Sequence, residues 1–169
     1  MMDISADAEG LSGKEKDYRT IRELGADIIS SEEFQRIVGQ RHHIFSTVGY
    51  HSVHVAQKML LFARFFDMNE RDIVRASLWH DVGIYDRKSF AHGDTAWEHP
   101  VRSLHTAESK GKLTDTEADM IANHMWPVTP ERPRTREGFF ITLADKWCAI
   151  TEFLNFHDDR IDEIIHEVD

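Results

Sequence analysis

Apolar residues in this 169-residue chain recur at helical spacings, and nowhere does a sustained apolar/polar alternation mark a strand. Val55, Met59, Phe62 and Phe66 follow one another at steps of four, three and four, one face of a helix expected over about Tyr50 to Phe66. Ser30-Ser31-Glu32-Glu33 reads as a capping box that opens a helix through Val38. Asn69 caps a helix from Glu70 to about Asp81, ended by Gly83. After a polar loop from Tyr85 to Glu98, Pro100 suits the first turn of a helix reaching about Lys110, with Gly111 as its stop. Thr114 to Glu117 is a second capping box, for a helix ending near His124 or Met125. Pro127, Pro130 and Pro133 then force a loop before a long helix from about Glu137 to Phe156, and Asp158 starts a short closing helix. The expected fold is an all-α, compact helical bundle: residues 1–14 as a flexible tail and 15–169 as one domain.

Composition narrows the function classes. The formal net charge of −10 disfavours a chain that coats nucleic acid or anionic lipid. No apolar run reaches the ~18–20 residues of a membrane span, and the first residues lack the apolar core of a secretory signal. One cysteine, Cys148, excludes an intrachain disulfide, so a cytoplasmic location is expected. Eleven histidines beside only 20 Lys plus Arg are unusual, and histidine is both a common metal ligand and the usual acid/base near neutral pH.

Several of these histidines and acids fall on apolar faces. His51 lies one turn before Val55, on the Met59 and Phe62 stripe. His80 continues Ile73, Ala76 and Ser77, while Asp81 continues Val74, Ser77 and Leu78, so both directions of the dyad face the core. Alone, the dyad fits a capping pair and His51 a hydrogen-bonded core histidine. Asp145 is harder to place. Its helix carries Phe140, Leu143, Trp147, Ile150 and Leu154 on one side and Ile141, Cys148 and Ala149 beside Asp145, a pattern expected to be buried nearly all round. A carboxylate there needs a cation. Lys146 diverges from it by about 100° on the helix, so a metal ion is a reasonable partner. His99 and His124 stand at helix boundaries. The set His51, His80, Asp81, His99, His124 and Asp145 mixes imidazole and carboxylate, which suits zinc, iron, manganese, cobalt or nickel and suits calcium poorly.

These residues carry a resemblance. Tyr50-His51-Ser52-Val53-His54-Val55-Ala56, Leu78-Trp79-His80-Asp81 and Leu143-Ala144-Asp145-Lys146, in this order, resemble the HD-domain superfamily of metal-dependent phosphohydrolases over roughly residues 40–155. The resemblance implies that His51, His80, Asp81 and Asp145 bind one metal. It extends to a subset in which two further histidines, here His99 and His124, hold a second, with Asp81 between them. It is closest to small bacterial HD proteins, through His124-Met125-Trp126-Pro127 and Ala144-Asp145-Lys146-Trp147-Cys148-Ala149. Those proteins tend to carry His-Gly eight residues before the first ligand. Here His43 is followed by Ile44. The Gly-Tyr-Pro signature of cyclic-dinucleotide phosphodiesterases is absent after His124.

The expected activity is hydrolysis of a phosphate ester or phosphoanhydride, a nucleotide among the candidates, at two divalent transition metals, with Asp81 and Lys146 in the catalytic machinery. Arg87, Arg132, Arg134, Arg136 and His43 are the expected contacts to the phosphorylated substrate, because arginine pairs with phosphate in a bidentate fashion. Two alternatives stand beside it. The same ligands resemble those of HD-type di-iron oxygenases, and a nucleotide-binding sensor without turnover is the third. His54 could support His51, and His92 could touch substrate. His42, His157 and His166 are expected at the surface, and His105 on a different helix face from His99.

Overall fold

The computed structural model describes residues 12–41, 46–85 and 95–166, which form eight α-helices and one 3-10 turn, with no strand among them beyond an isolated bridge from Arg41 to Thr47. Helix α1 runs Gly13–Ile29, α2 Glu32–Val38, α3 Val48–Ala63 and α4 Glu70–Trp79. The 3-10 turn Val82–Ile84 follows, then α5 Thr95–Lys110, α6 Asp115–Asn123, α7 Arg136–Phe153 and α8 Asp159–His166.

Local chemistry sets most boundaries. The Ser12 hydroxyl accepts from the backbone N–H of Glu15, whose carboxylate accepts from the Ser12 N–H, so α1 starts inside the stretch read as tail. At α2 the cap is Ser31, which accepts from the Phe34 N–H, and not Ser30. Ser30 ends α1 instead, its hydroxyl donating to the Ala26 carbonyl. The Thr114 box at α6 and the Asn69 cap at α4 are present as expected. Helix α5 starts earlier than expected. Residues 95–98 are already helical, so Pro100 sits a turn inside it. Asn155, with φ of 62°, takes the left-handed conformation that ends α7.

Helix α3 is the axis of the bundle, packed against α1, α2, α4, α7 and α8. Its Val53, Val55 and Met59 join Ile73, Leu78 and Ile141 in a core wholly removed from solvent. Tyr50 and Tyr18 tie the closing helix to this axis. The Tyr50 hydroxyl accepts from the Asp158 N–H at 2.8 Å, and the Tyr18 hydroxyl donates to the Asp158 carboxylate at 2.7 Å. Among the described residues, no helix is long and apolar enough to cross a membrane.

One expectation about α7 fails. It is not buried all round: Leu143, Trp147, Ile150 and Leu154 are 57–61 % exposed. The face turned inward is the one through Ile141, Ala144, Asp145, Cys148 and Glu152.

Candidate metal centre

Five helices, with the turn after α4, deliver the candidate ligands to one buried spot. His51 comes from the first turn of α3. His80 caps the C-terminus of α4, and Asp81 lies in the turn after it, where the backbone leaves helical geometry. His99 sits in the second turn of α5, His124 caps the C-terminus of α6, and Asp145 occupies the middle of α7. His51 and His80 are wholly buried, and His124, Asp81 and His99 expose no more than 4 % of their surface. Successive rings stand close. The centroids of His51 and His80 are 5.6 Å apart, of His80 and His124 4.9 Å, and of His124 and His99 5.0 Å.

The outer nitrogens fix which way the inner ones face. The Nδ1 atoms of His80, His99 and His124 donate to the carbonyls of Ser77 (2.7 Å), Thr95 (2.6 Å) and Ile121 (2.8 Å). Carbonyl oxygens only accept, so in the neutral ring the proton sits on Nδ1 and Nε2 presents a lone pair. These lone pairs point at Asp81. Its Oδ1 is 3.1 Å from His99 Nε2 and 3.4 Å from His124 Nε2, and its Oδ2 is 3.5 Å from His80 Nε2. On the far side, His51 Nε2 faces Asp145 Oδ1 at 2.9 Å, and His80 Nε2 lies 4.0 Å from the same oxygen.

Such a set is poorly satisfied by itself. His99 Nε2 and His124 Nε2 face one another at 2.9 Å, where two neutral rings would oppose lone pairs. His80 Nε2 is buried without a hydrogen-bond partner among the described residues. A buried nitrogen left in this state is costly, and a cation amid the nitrogens and carboxylates relieves it. The donor atoms fall into two compact groups, His51–His80–Asp81 and Asp81–His99–His124, each with one atom per residue within 4.8 Å of the others and each able to hold a metal ion. Asp81 belongs to both. Imidazole with carboxylate is the donor chemistry of a transition metal. A third group, His157, Asp159 and Asp162, lies at the surface of α8.

Electrostatics follow the same division. Burial alone would pull His51 down, but Glu152 and Asp145 outweigh it and raise its pKa to about 10. For His80 burial wins and lowers it to about 4, helped by the charge of His124. Burial also opposes the charged form of His99, yet its hydrogen bond to Asp81 raises it. Asp81 and Asp145 would be pushed up by burial. The surrounding histidines, His80 first for Asp81 and His51 first for Asp145, hold both well below the usual carboxylate range.

Glu152 is the residue that the sequence analysis missed. It is buried, two turns after Asp145 on the inward face of α7. Its Oε1 accepts from His51 Nδ1 at 3.0 Å and from His54 Nδ1 at 2.9 Å, and its Oε2 accepts from the Ser46 hydroxyl at 2.8 Å. It fixes the tautomer of His51 and turns Nε2 towards Asp145. The signal was available, because Glu152 follows Asp145 and Cys148 at spacings of seven and four, so the reasoning that singled out Asp145 applied to it equally.

The expected substrate contacts are scattered. Lys146 does reach the ligand cluster: its Nζ donates to the His124 carbonyl at 3.1 Å and lies 3.6 Å from Asp145 Oδ2, with the side chain partly exposed. Arg132 stacks over the Phe139 ring at 5.4 Å. Arg134 lines a groove between α5 and α6 with Leu104 and Asp115. Arg136 donates to the Asp67 carbonyl, beyond the end of α3 opposite to His51, and pairs with Glu137. Arg132 and Arg136 are thus engaged with Phe139, Asp67 and Glu137, none of them one of the six candidate ligands. Asp119 takes the N–H groups of Arg134 and Thr135 and the Thr135 hydroxyl, pinning the loop to α6, while α7 carries Arg136 more than two turns away from Asp145. His43 and Arg87, with His42 and His92, lie outside the described residues. His105 is exposed, and His157 stacks on Tyr50 with ring centroids 4.6 Å apart.

No protein-family model matches this sequence, and neither does any curated protein or solved structure.

Proposed function

We propose that the chain is a metal-dependent phosphohydrolase of the HD type, hydrolysing a phosphate ester or phosphoanhydride at a centre of two divalent transition metals. The observation that carries it is the sharing of Asp81 between two buried donor groups: Oδ2 faces the His51–His80 side, and Oδ1 faces His99 and His124. Each group supplies three donors, with Asp145 beside the first through His51, so the arrangement suits one ion in each. Iron, manganese, zinc, cobalt or nickel would suit these donors. Bound there, a metal pair supplies an activated water and neutralises charge on the attacking and leaving oxygens of an in-line displacement.

The residues of the chain do the rest. His80, His99 and His124 are oriented by carbonyls of their own helices and His51 by Glu152, so Nε2 is the ligating atom in all four. Lys146, held beside Asp145 by the His124 carbonyl, offers an ammonium at the rim of the centre, where it would steady a non-bridging phosphoryl oxygen. Burial of these side chains keeps bulk water away from the ligating atoms. The test is elemental analysis of the purified protein, followed by a screen of phosphorylated metabolites, nucleotides included, with the metals found. Release of inorganic phosphate or a nucleoside product is expected. Oxygen uptake with an Fe(II)-loaded sample, and no phosphate release from any of these compounds, would overturn the hydrolytic reading.

A further inference from the structure

Helix α7 turns Asp145 and Glu152 inward and leaves an apolar stripe on the opposite face. Leu143, Trp147, Ile150 and Leu154 on the stripe, with Phe153 and Phe156 beside its end, are 57–67 % exposed. Together they present on the order of 600 Å² of apolar surface, the upper end of the largest patch on a typical monomer and near the ~800 Å² that each partner contributes to a standard interface. Steps of four, three and four are the seam spacing of a helix that packs along another helix.

From this we infer that the exposed face of α7 is a homodimer interface, in which two copies of α7 pack antiparallel about a two-fold axis near residues 148 and 149. The stripe is its own complement. Its spacings read the same in both directions, so an antiparallel copy sets Leu143 against the partner's Leu154 and Trp147 against the partner's Ile150. Each large indole then meets a smaller branched side chain, and the two leucine pairs close the ends. A two-fold interface requires this self-matching.

Charge selects the same occupant. The chain carries a net charge of −10, so copies of it repel over most of their surface. Between Gly138 and Leu154, α7 exposes no acidic side chain, and Lys146 alone flanks the stripe with charge. A basic partner would find no anion to pair with, and an anionic membrane would find a single lysine. A second copy needs neither. The inference is independent of the catalytic reading.

The test is the mass of the full chain in solution at high micromolar concentration, by sedimentation equilibrium. Twice 19.6 kDa is expected. Trp147→Glu and Ile150→Lys should each fall to the single-chain mass with an unchanged far-UV spectrum. The double variant, which sets Glu against Lys across the axis, should recover dimer. Under mild oxidation Leu143→Cys should stay uncrosslinked, whereas Leu143→Cys with Leu154→Cys should form a covalent dimer. A wild-type monomer, or a dimer that survives both single charge variants, would overturn the interface. Cross-linking of Leu143→Cys alone would show a parallel pairing and overturn the antiparallel register.

Discussion

The two halves of the ligand cluster are built differently. On one side, His51 is held by Glu152, which also takes His54 and Ser46, residues brought together from α3, α7 and the segment before α3. On the other, His99 and His124 each lean on a carbonyl three or four residues back in their own helix. His51 makes the first half long-range and dependent on how helices pack, although His80 in it leans on the Ser77 carbonyl of its own helix. The second is local throughout and depends on where α5 and α6 sit. Asp81 is the one ligand common to both donor groups, and it stands in a turn rather than in a helix, so its carboxylate can face both ways.

Breaking the shared ligand should have the largest effect. Asp81→Ala is expected to lose metal from both halves and to reduce turnover well beyond the ~10–100-fold typical of an outer residue that only supports a ligand. Metal content and kcat measured together check this, and retention of both ions would end the shared-ligand view. The halves should then separate. Glu152→Gln is expected to weaken metal binding ~10–100-fold on the His51 side, whereas His99→Ala should cost the other ion alone. Metal titrations of the two variants side by side would show this, and identical losses in both would refute the division.

His51 also gives a pH test confined to its own half. Its raised pKa of about 10 means that the unloaded site holds a proton there across neutral pH. Metal loading must expel that proton, so affinity should rise about tenfold per pH unit between pH 6 and 9. Calorimetry in buffers of different ionisation enthalpy should detect the released proton, and a pH-independent affinity would contradict it.

Smaller effects are expected further out. A Cβ on Gly83 would lie 2.6 Å from the His99 carbonyl and 2.8 Å from the Ser103 nitrogen, so the turn after Asp81 lies against α5 because residue 83 has no side chain. Gly83→Ala should destabilise by ~1–3 kcal/mol, read as a lower Tm, and should weaken the His99 half first. Asp119 supports the loop after α6. Burial opposes its charge, but the Thr135 hydroxyl and the neighbouring N–H groups lower its pKa. The stability it contributes is complete above the unfolded value, about 3.9, and is lost as pH falls through the depressed folded one. Asp119→Asn should therefore flatten the acid limb of a stability profile below about pH 4. Arg136→Ala, whose side chain is engaged at Asp67, is expected to leave kcat/KM within about twofold.

Much of this was legible in the sequence. Helical periodicity and caps such as Asn69 and Thr114 gave the all-α bundle; His51, His80, Asp81 and Asp145 were marked by their places on apolar faces, and His99 and His124 by their places at helix boundaries. What remained hidden depended on packing. The outward turn of Leu143 and Trp147 was invisible because both faces of α7 are apolar, and periodicity cannot say which one meets the core. The basic run looked close to the site because His124 and Asp145 flank it in the chain, yet Arg136 is engaged at Asp67 and Glu137, and Asp119 holds the loop backbone at Arg134 and Thr135. Ser30 and Ser31 compete for one cap, and that choice depends on where α1 ends.

The most direct measurement is elemental analysis of gently purified protein beside Asp81→Ala and His99→Ala, each before and after incubation with Fe(II), Mn(II) or Zn(II). Close to two transition-metal ions per wild-type chain, one in His99→Ala and none in Asp81→Ala is the expected result. A wild-type chain that takes up no metal, or that keeps a single ion undisturbed by His99→Ala, would contradict the two-metal centre.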